Sequence, residues 1–141
     1  MIMNVIRNDS TGTEMEIRDH LHGDALAYTV RADAQTDARC PIELIEHDQK
    51  GEVDRVYLSR KAALAVAAAL GRGMQSPVLI DNFKPQDLQL ELVEANTLVA
   101  IHDLGDQAHV DLYNDTDELR GVATALKLAA SAVNLPVKAA S

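Results

Sequence analysis

DLQLELVEANTLVAIHDLGDQAHVDLYND, residues 87–115, alternates apolar and polar side chains in three short runs. Successive side chains of a strand point to opposite faces, so such alternation describes a strand with one buried face. Turns at Glu94–Thr97 and Leu104–Gln107 divide the stretch into three antiparallel strands. They set Leu92 opposite Val99, Leu90 opposite Ile101, and Ile101 opposite Val110. Leu88, Leu90, Leu92, Val99, Ile101, Val110 and Leu112 then share the core face. The other face receives Gln89, Glu91, Val93, Leu98, Ala100, His102, His109, Asp111 and Tyr113, with His102 beside His109.

A helix follows over 115–133. Asp115 and Glu118 have the spacing of a capping box, and Leu119, Val122, Leu126, Ala129 and Val133 form an apolar stripe. Asn134 and Pro136 end it.

The first half has the same ingredients. IELIEHDQKGEVDRVYL (42–58) is a hairpin turning at Asp48–Glu52 around Gly51, with Ile42, Leu44, Val56 and Leu58 inward. Ser59 caps an Ala-rich helix over 60–71, and Gly71 offers a stop. Upstream, TEMEIRDHLHGDALAYTV (13–30) predicts a hairpin with its turn over His20–Gly23, Ile17 opposite Leu26 and Met15 opposite Tyr28. RADAQTDARCP (31–41) lacks periodicity and reads as a loop. Residues 71–85 form a linker with a short strand at Val78–Ile80.

A V-x-L strand, a polar cap and an Ala/Leu helix occur at 56–70 and again at 110–126, as a diverged duplication with halves 1–73 and 74–141 would produce. The fold class expected is α+β: antiparallel meanders each followed by a helix, both helices on one sheet face, in a single domain of residues 1–141.

The net charge is −9 over 141 residues, and it is uneven. Residues 1–72 carry 9 basic against 12 acidic side chains; residues 73–141 carry 4 against 10. An acidic excess disfavours phosphate backbones and favours a basic protein partner. Cys40 is the single cysteine, so neither an internal disulfide nor a Cys-based zinc cluster can form. The N-terminus lacks the apolar length of a signal peptide, and the longest apolar run, residues 62–70, is far below a membrane span. A cytoplasmic protein without membrane association is expected.

Chemistry-bearing patterns are few. His102, His109 and Asp111 on one sheet face have residue types that bind zinc, which would make a metal-dependent hydrolase. A flat solvated face without a cleft is the competing and favoured account, and it applies to His20 and His22 as well. Phosphate loops, nucleophile elbows and HExxH helices are absent from the sequence. No cofactor is expected.

Val93, Leu98 and Tyr113 cluster at one end of the outer face, and Ile45, Val53 and Tyr57 do so on the first sheet. These are the expected interaction residues, buried against each other, at a homodimer contact or by another partner. Asp103, Asp106, Asp111, Asp115, Asp117 and Glu118 form an expected acidic patch. Arg55, Tyr57, Arg60, Lys61 and Arg72 are the one basic concentration and would serve a nucleic-acid-binding sheet domain. The function expected from these features is a non-enzymatic, acidic protein-interaction module, a regulator or inhibitor of the kind phages and mobile elements encode.

Overall fold

A computed structural model describes residues 2–19, 25–33, 39–75 and 77–134. The elements run β1 (Ile2–Asp9), β2 (Gly12–Asp19), β3 (Ala25–Asp33), β4 (Ile42–Asp48), β5 (Gly51–Leu58), α1 (Arg60–Arg72), β6 (Val78–Ile80), β7 (Leu88–Val93), β8 (Leu98–Asp103), β9 (Ala108–Tyr113) and α2 (Thr116–Asn134). The fold is α+β and mostly sheet. Strands β1 to β5 form one antiparallel meander, here sheet A, and β6 to β9 form a second, sheet B.

Sheet B follows the register expected from its alternation: Leu90 pairs with Ile101, Leu92 with Val99, Ile101 with Val110, and His102 with His109. The β4–β5 hairpin likewise pairs Ile42 with Leu58 and Leu44 with Val56, all four buried.

Three features of sheet A differ from expectation. The β2–β3 register is slipped by two residues, so Ile17 faces Tyr28 and Met15 faces Val30. An even slip keeps every apolar side chain on its face, so the hydrophobic pattern could not discriminate between the two. Pairing of Gly12 with Asp33 at the far end marks the observed register. A Cβ at Gly12 would collide with the Ala32 carbonyl oxygen, so only glycine allows this close approach. Second, β3 continues through Asp33, placing residues 31–33 in the sheet rather than in a loop. Third, β1 was not expected at all. The turn His20–Gly23, with His20 and His22, lies outside the described residues.

Ser59 caps α1 by accepting the Ala62 N–H at 3.0 Å. The helix runs through Gly71 and ends at Gly73, whose φ of 78° suits a residue without a side chain. At the start of α2 the Asp115 carboxylate accepts the Glu118 N–H at 3.2 Å. The reciprocal half of the box is not made. The Asp115 N–H goes to the Tyr113 carbonyl, and the Glu118 side chain turns into the core.

The helices pack against each other, α2 lies on β2 and β3 of sheet A, and α1 touches β5 and β6. One apolar cluster joins both sheets and both helices. Among the described residues, no helix is long and apolar enough to cross a membrane.

Candidate functional site

The two sheets meet along an edge. Strand β9 is the last of sheet B, so alternate N–H groups point away from β8 and need acceptors. Side chains of sheet A supply them. Asp54 accepts from His109 N–H at 3.0 Å, Glu46 from Asp111 N–H at 2.9 Å, and the Tyr28 hydroxyl from Tyr113 N–H at 3.1 Å. Tyr28, Glu46 and Asp54 are direct cross-strand partners on β3, β4 and β5. A single row of side chains therefore receives the whole edge of β9. Burial raises the Glu46 pKa, with Asp111 and Asp48 adding to the shift against the Asp111 hydrogen bond and His109.

Beside this seam is a cavity of about 570 Å³. Its apolar wall includes Leu26, Ala27 and Leu98, its aromatic wall Tyr28 and Tyr113, and its acidic groups Asp19, Glu46, Asp48 and Asp111. Among the interaction residues expected from sequence, Val93, Leu98 and Tyr113 do form one cross-strand row. Leu98 and Tyr113 line this cavity. Ile45, by contrast, is buried at 1% exposure, between its cross-strand partners Thr29 and Arg55, as internal packing would have it. Val53 is exposed.

Tyr57 belongs to a second cleft of about 390 Å³. Asn82 builds it by joining three segments: it accepts the Ser59 N–H at 2.7 Å, donates to the Tyr57 carbonyl at 2.9 Å, and accepts from the Cys40 thiol at 3.8 Å. Phe83, 51% exposed, stands on the rim with the Arg39 guanidinium 4.4 Å from its ring centre. Asp87, Asp103 and Asp106 line the acidic wall. Buried Asp103 accepts N–H groups from Gly105 and Asp106 at 3.0 and 3.2 Å. Burial raises its pKa, and Asp106 and Asp87 add to the effect. Gly105 admits Asp87: a Cβ there would stand 2.9 Å from Oδ1 of that carboxylate.

Asn82, Phe83 and Asp87 were missed from sequence because they lie in or beside the apparent linker. The one phenylalanine of the chain, set among polar residues, was the available signal.

The expected acidic patch is dispersed. Asp103 and Asp106 sit at the 104–107 turn, while Asp115, Asp117 and Glu118 sit beyond the opposite end of β9, with Asp111 between them. Asp103 and Glu118 are buried rather than displayed. Glu118 lies beside Asp19, also buried; burial first, then Asp19 and Asp115, pushes its pKa up to about 7.

Two arginines of the expected basic face are engaged internally. Arg55 is paired with Glu43 and Glu52, each at 2.5 Å, and Arg60 donates to the Ala130 carbonyl of α2 at 3.1 Å. Lys61 and Arg72 are exposed on α1.

On the outer face of sheet B, the His102 and His109 rings stand 5.4 Å apart. Each turns Nε2 to its own carboxylate, His102 to Glu91 at 3.1 Å and His109 to Asp111 at 3.6 Å. The described residues contain no group of three or more His, Cys, Asp or Glu side chains arranged to hold one metal ion.

No protein-family model matches the chain, and no curated protein or solved structure is detectably similar to it.

Proposed function

We propose that this protein is a non-enzymatic interaction module that engages a basic segment of a partner protein, as a regulator or inhibitor of that partner. The observation that carries the proposal is the Tyr57–Phe83 cleft, whose lining brings two exposed aromatic residues together with Asp87, Asp103 and Asp106, beside Arg39 and Lys84. Aromatic faces and carboxylates together suit an arginine or lysine side chain. Arg39 already rests on Phe83 in this manner, as a cation supplied by the chain itself. The net charge of −9 would speed the approach of such a partner.

The test is cross-linking and affinity capture with wild-type protein and a Phe83→Ala variant. A defined partner, retained at low salt, weakened by added salt and lost with Phe83→Ala, is expected. Capture indifferent to both salt and Phe83 would sink the proposal, and reproducible turnover by purified protein would replace it with an enzymatic one.

A further inference from the structure

The geometry points to the seam cavity as a second binding site, specific for an organic cation: an apolar body bearing one ammonium or guanidinium group. This inference does not depend on the Tyr57–Phe83 cleft, which is built from different residues.

Size comes first. At about 570 Å³ the cavity falls within the range that takes small ligands or a single large side chain. Its composition then restricts the ligand. Leu26, Ala27 and Leu98 with the faces of Tyr28 and Tyr113 suit an apolar body. Carboxylates from β2, β4 and β9 converge on the same space, as Asp19, Glu46 and Asp111, and Lys50 is the single permanently charged cation among the lining residues. The seam holds two of these carboxylates together. Glu46 is held by Asp111 N–H at 2.9 Å, and that bond fixes it beside the Asp111 side chain.

The titration behaviour agrees with this geometry. Around the cavity, Glu46, Tyr28 and Tyr113 all have raised pKa values, each led by burial and each increased by neighbouring acids. Glu118, behind Asp19, contributes to the shifts of both tyrosines. The tyrosines stay neutral, so the repulsion a cation would relieve is that of Glu46 with Asp111 and Asp48. A neutral ligand would not, and an anion would increase it.

The ammonium or guanidinium group could belong to a free amine or to a basic residue of a peptide, and the experiment separates the two. ¹⁵N-labelled protein is titrated with phenethylamine, with phenylacetate as the anion of similar shape, and with a capped Gly-Arg-Leu-Gly peptide. Phenethylamine should bind with Kd of about 1 mM, as its few heavy atoms allow. Amide shifts should be centred on Tyr28, Leu98, Asp111 and Tyr113. Tighter binding of the peptide would identify a protein side chain as the occupant, and tighter binding of the amine a small metabolite.

Glu46→Gln keeps an acceptor for the Asp111 N–H but removes the charge, and should weaken either cation about tenfold. Leu98→Trp fills the apolar wall and should also reduce binding. Equal response to phenylacetate overturns the inference, as do shifts confined to Tyr57, Phe83 and Asp103, unchanged affinity in both variants, or no shifts with about 20 mM phenethylamine, well above the expected Kd.

Discussion

Both sheets carry more carboxylates than their cores can accept, and they manage them by different means. On the outer face of sheet A, arginines do it: Arg55 bridges Glu43 and Glu52, and Arg31 lies between Glu14 and Glu43. Sheet B sets histidines beside Glu91 and Asp111, and it and its seam otherwise use backbone N–H groups. Asp103 takes those of its own turn, Asp115 that of α2, and Glu46 and Asp54 those of β9. The cause lies in the sequence, because residues 73–141 have 4 basic side chains for 10 acidic ones. The consequence differs in kind. An ion pair neutralises charge, whereas an N–H donor holds a carboxylate in place while leaving its charge available. That is why both candidate binding sites border sheet B.

The largest expected effect comes from breaking an arginine solution. Glu43 is 5% exposed, and Arg55→Ala leaves it with only the longer 3.9 Å contact to Arg31. Stability should fall by about 2–3 kcal/mol, because one partner of a buried pair is left uncompensated. Urea denaturation measures it, and Glu43→Gln in the Arg55→Ala background should recover part of the loss. No change in the urea midpoint would mean that Glu43 is already satisfied without Arg55.

Glu118 sharpens the comparison, since it is a buried carboxylate with neither an arginine nor a turn of N–H donors. Its pKa rises from 4.5 to about 7 on folding. The folded state therefore holds the proton more tightly than the unfolded chain does. Its contribution is harmless below pH of about 4.5, becomes unfavourable as pH rises through the interval to about 7, and reaches its full cost above that. Glu118→Gln should raise stability by about 2 kcal/mol at pH 8 and change it little at pH 4. The difference between variant and wild type isolates this residue from the general repulsion of an acidic protein. A difference that does not vary with pH would show that Glu118 titrates alike in both states.

What could be read from the sequence follows the same division. In sheet B, alternation bounded by two four-residue turns allows one register, and every pairing expected there is present. In sheet A an even slip costs the pattern nothing, so the alternation puts Met15 and Ile17 on the right face opposite the wrong partners. Strand β1 has a bulge between Val5 and Arg7, and both Val5 and Ile6 are exposed, so it lacks the period of two that reveals a strand. The sites were harder still. Leu98, Tyr113 and Tyr57 were legible as apolar residues on polar faces. Nothing local in the sequence could show that Tyr28, Glu46 and Asp54 would receive the edge of a strand more than fifty residues away.

That edge gives the smallest and most specific effect. Tyr28→Phe removes the acceptor of Tyr113 N–H, and Asp54→Ala removes that of His109 N–H together with the Arg55 N–H contact on its own strand. The expected cost is about 1 kcal/mol for Tyr28→Phe, at a buried site, and less for Asp54→Ala, at an exposed one where water can substitute. Amide hydrogen exchange reads the two bonds separately. Tyr113 should exchange about fivefold faster in Tyr28→Phe, with His109 unaffected, and the reverse pattern should appear in Asp54→Ala. If both amides accelerated together in either variant, the seam would be opening as one unit, and side-chain acceptors along it would be acting cooperatively. If neither amide responded, these side chains would not be holding sheet B, and the contrast between arginine-neutralised and backbone-held carboxylates would fail at the place where the two sheets join.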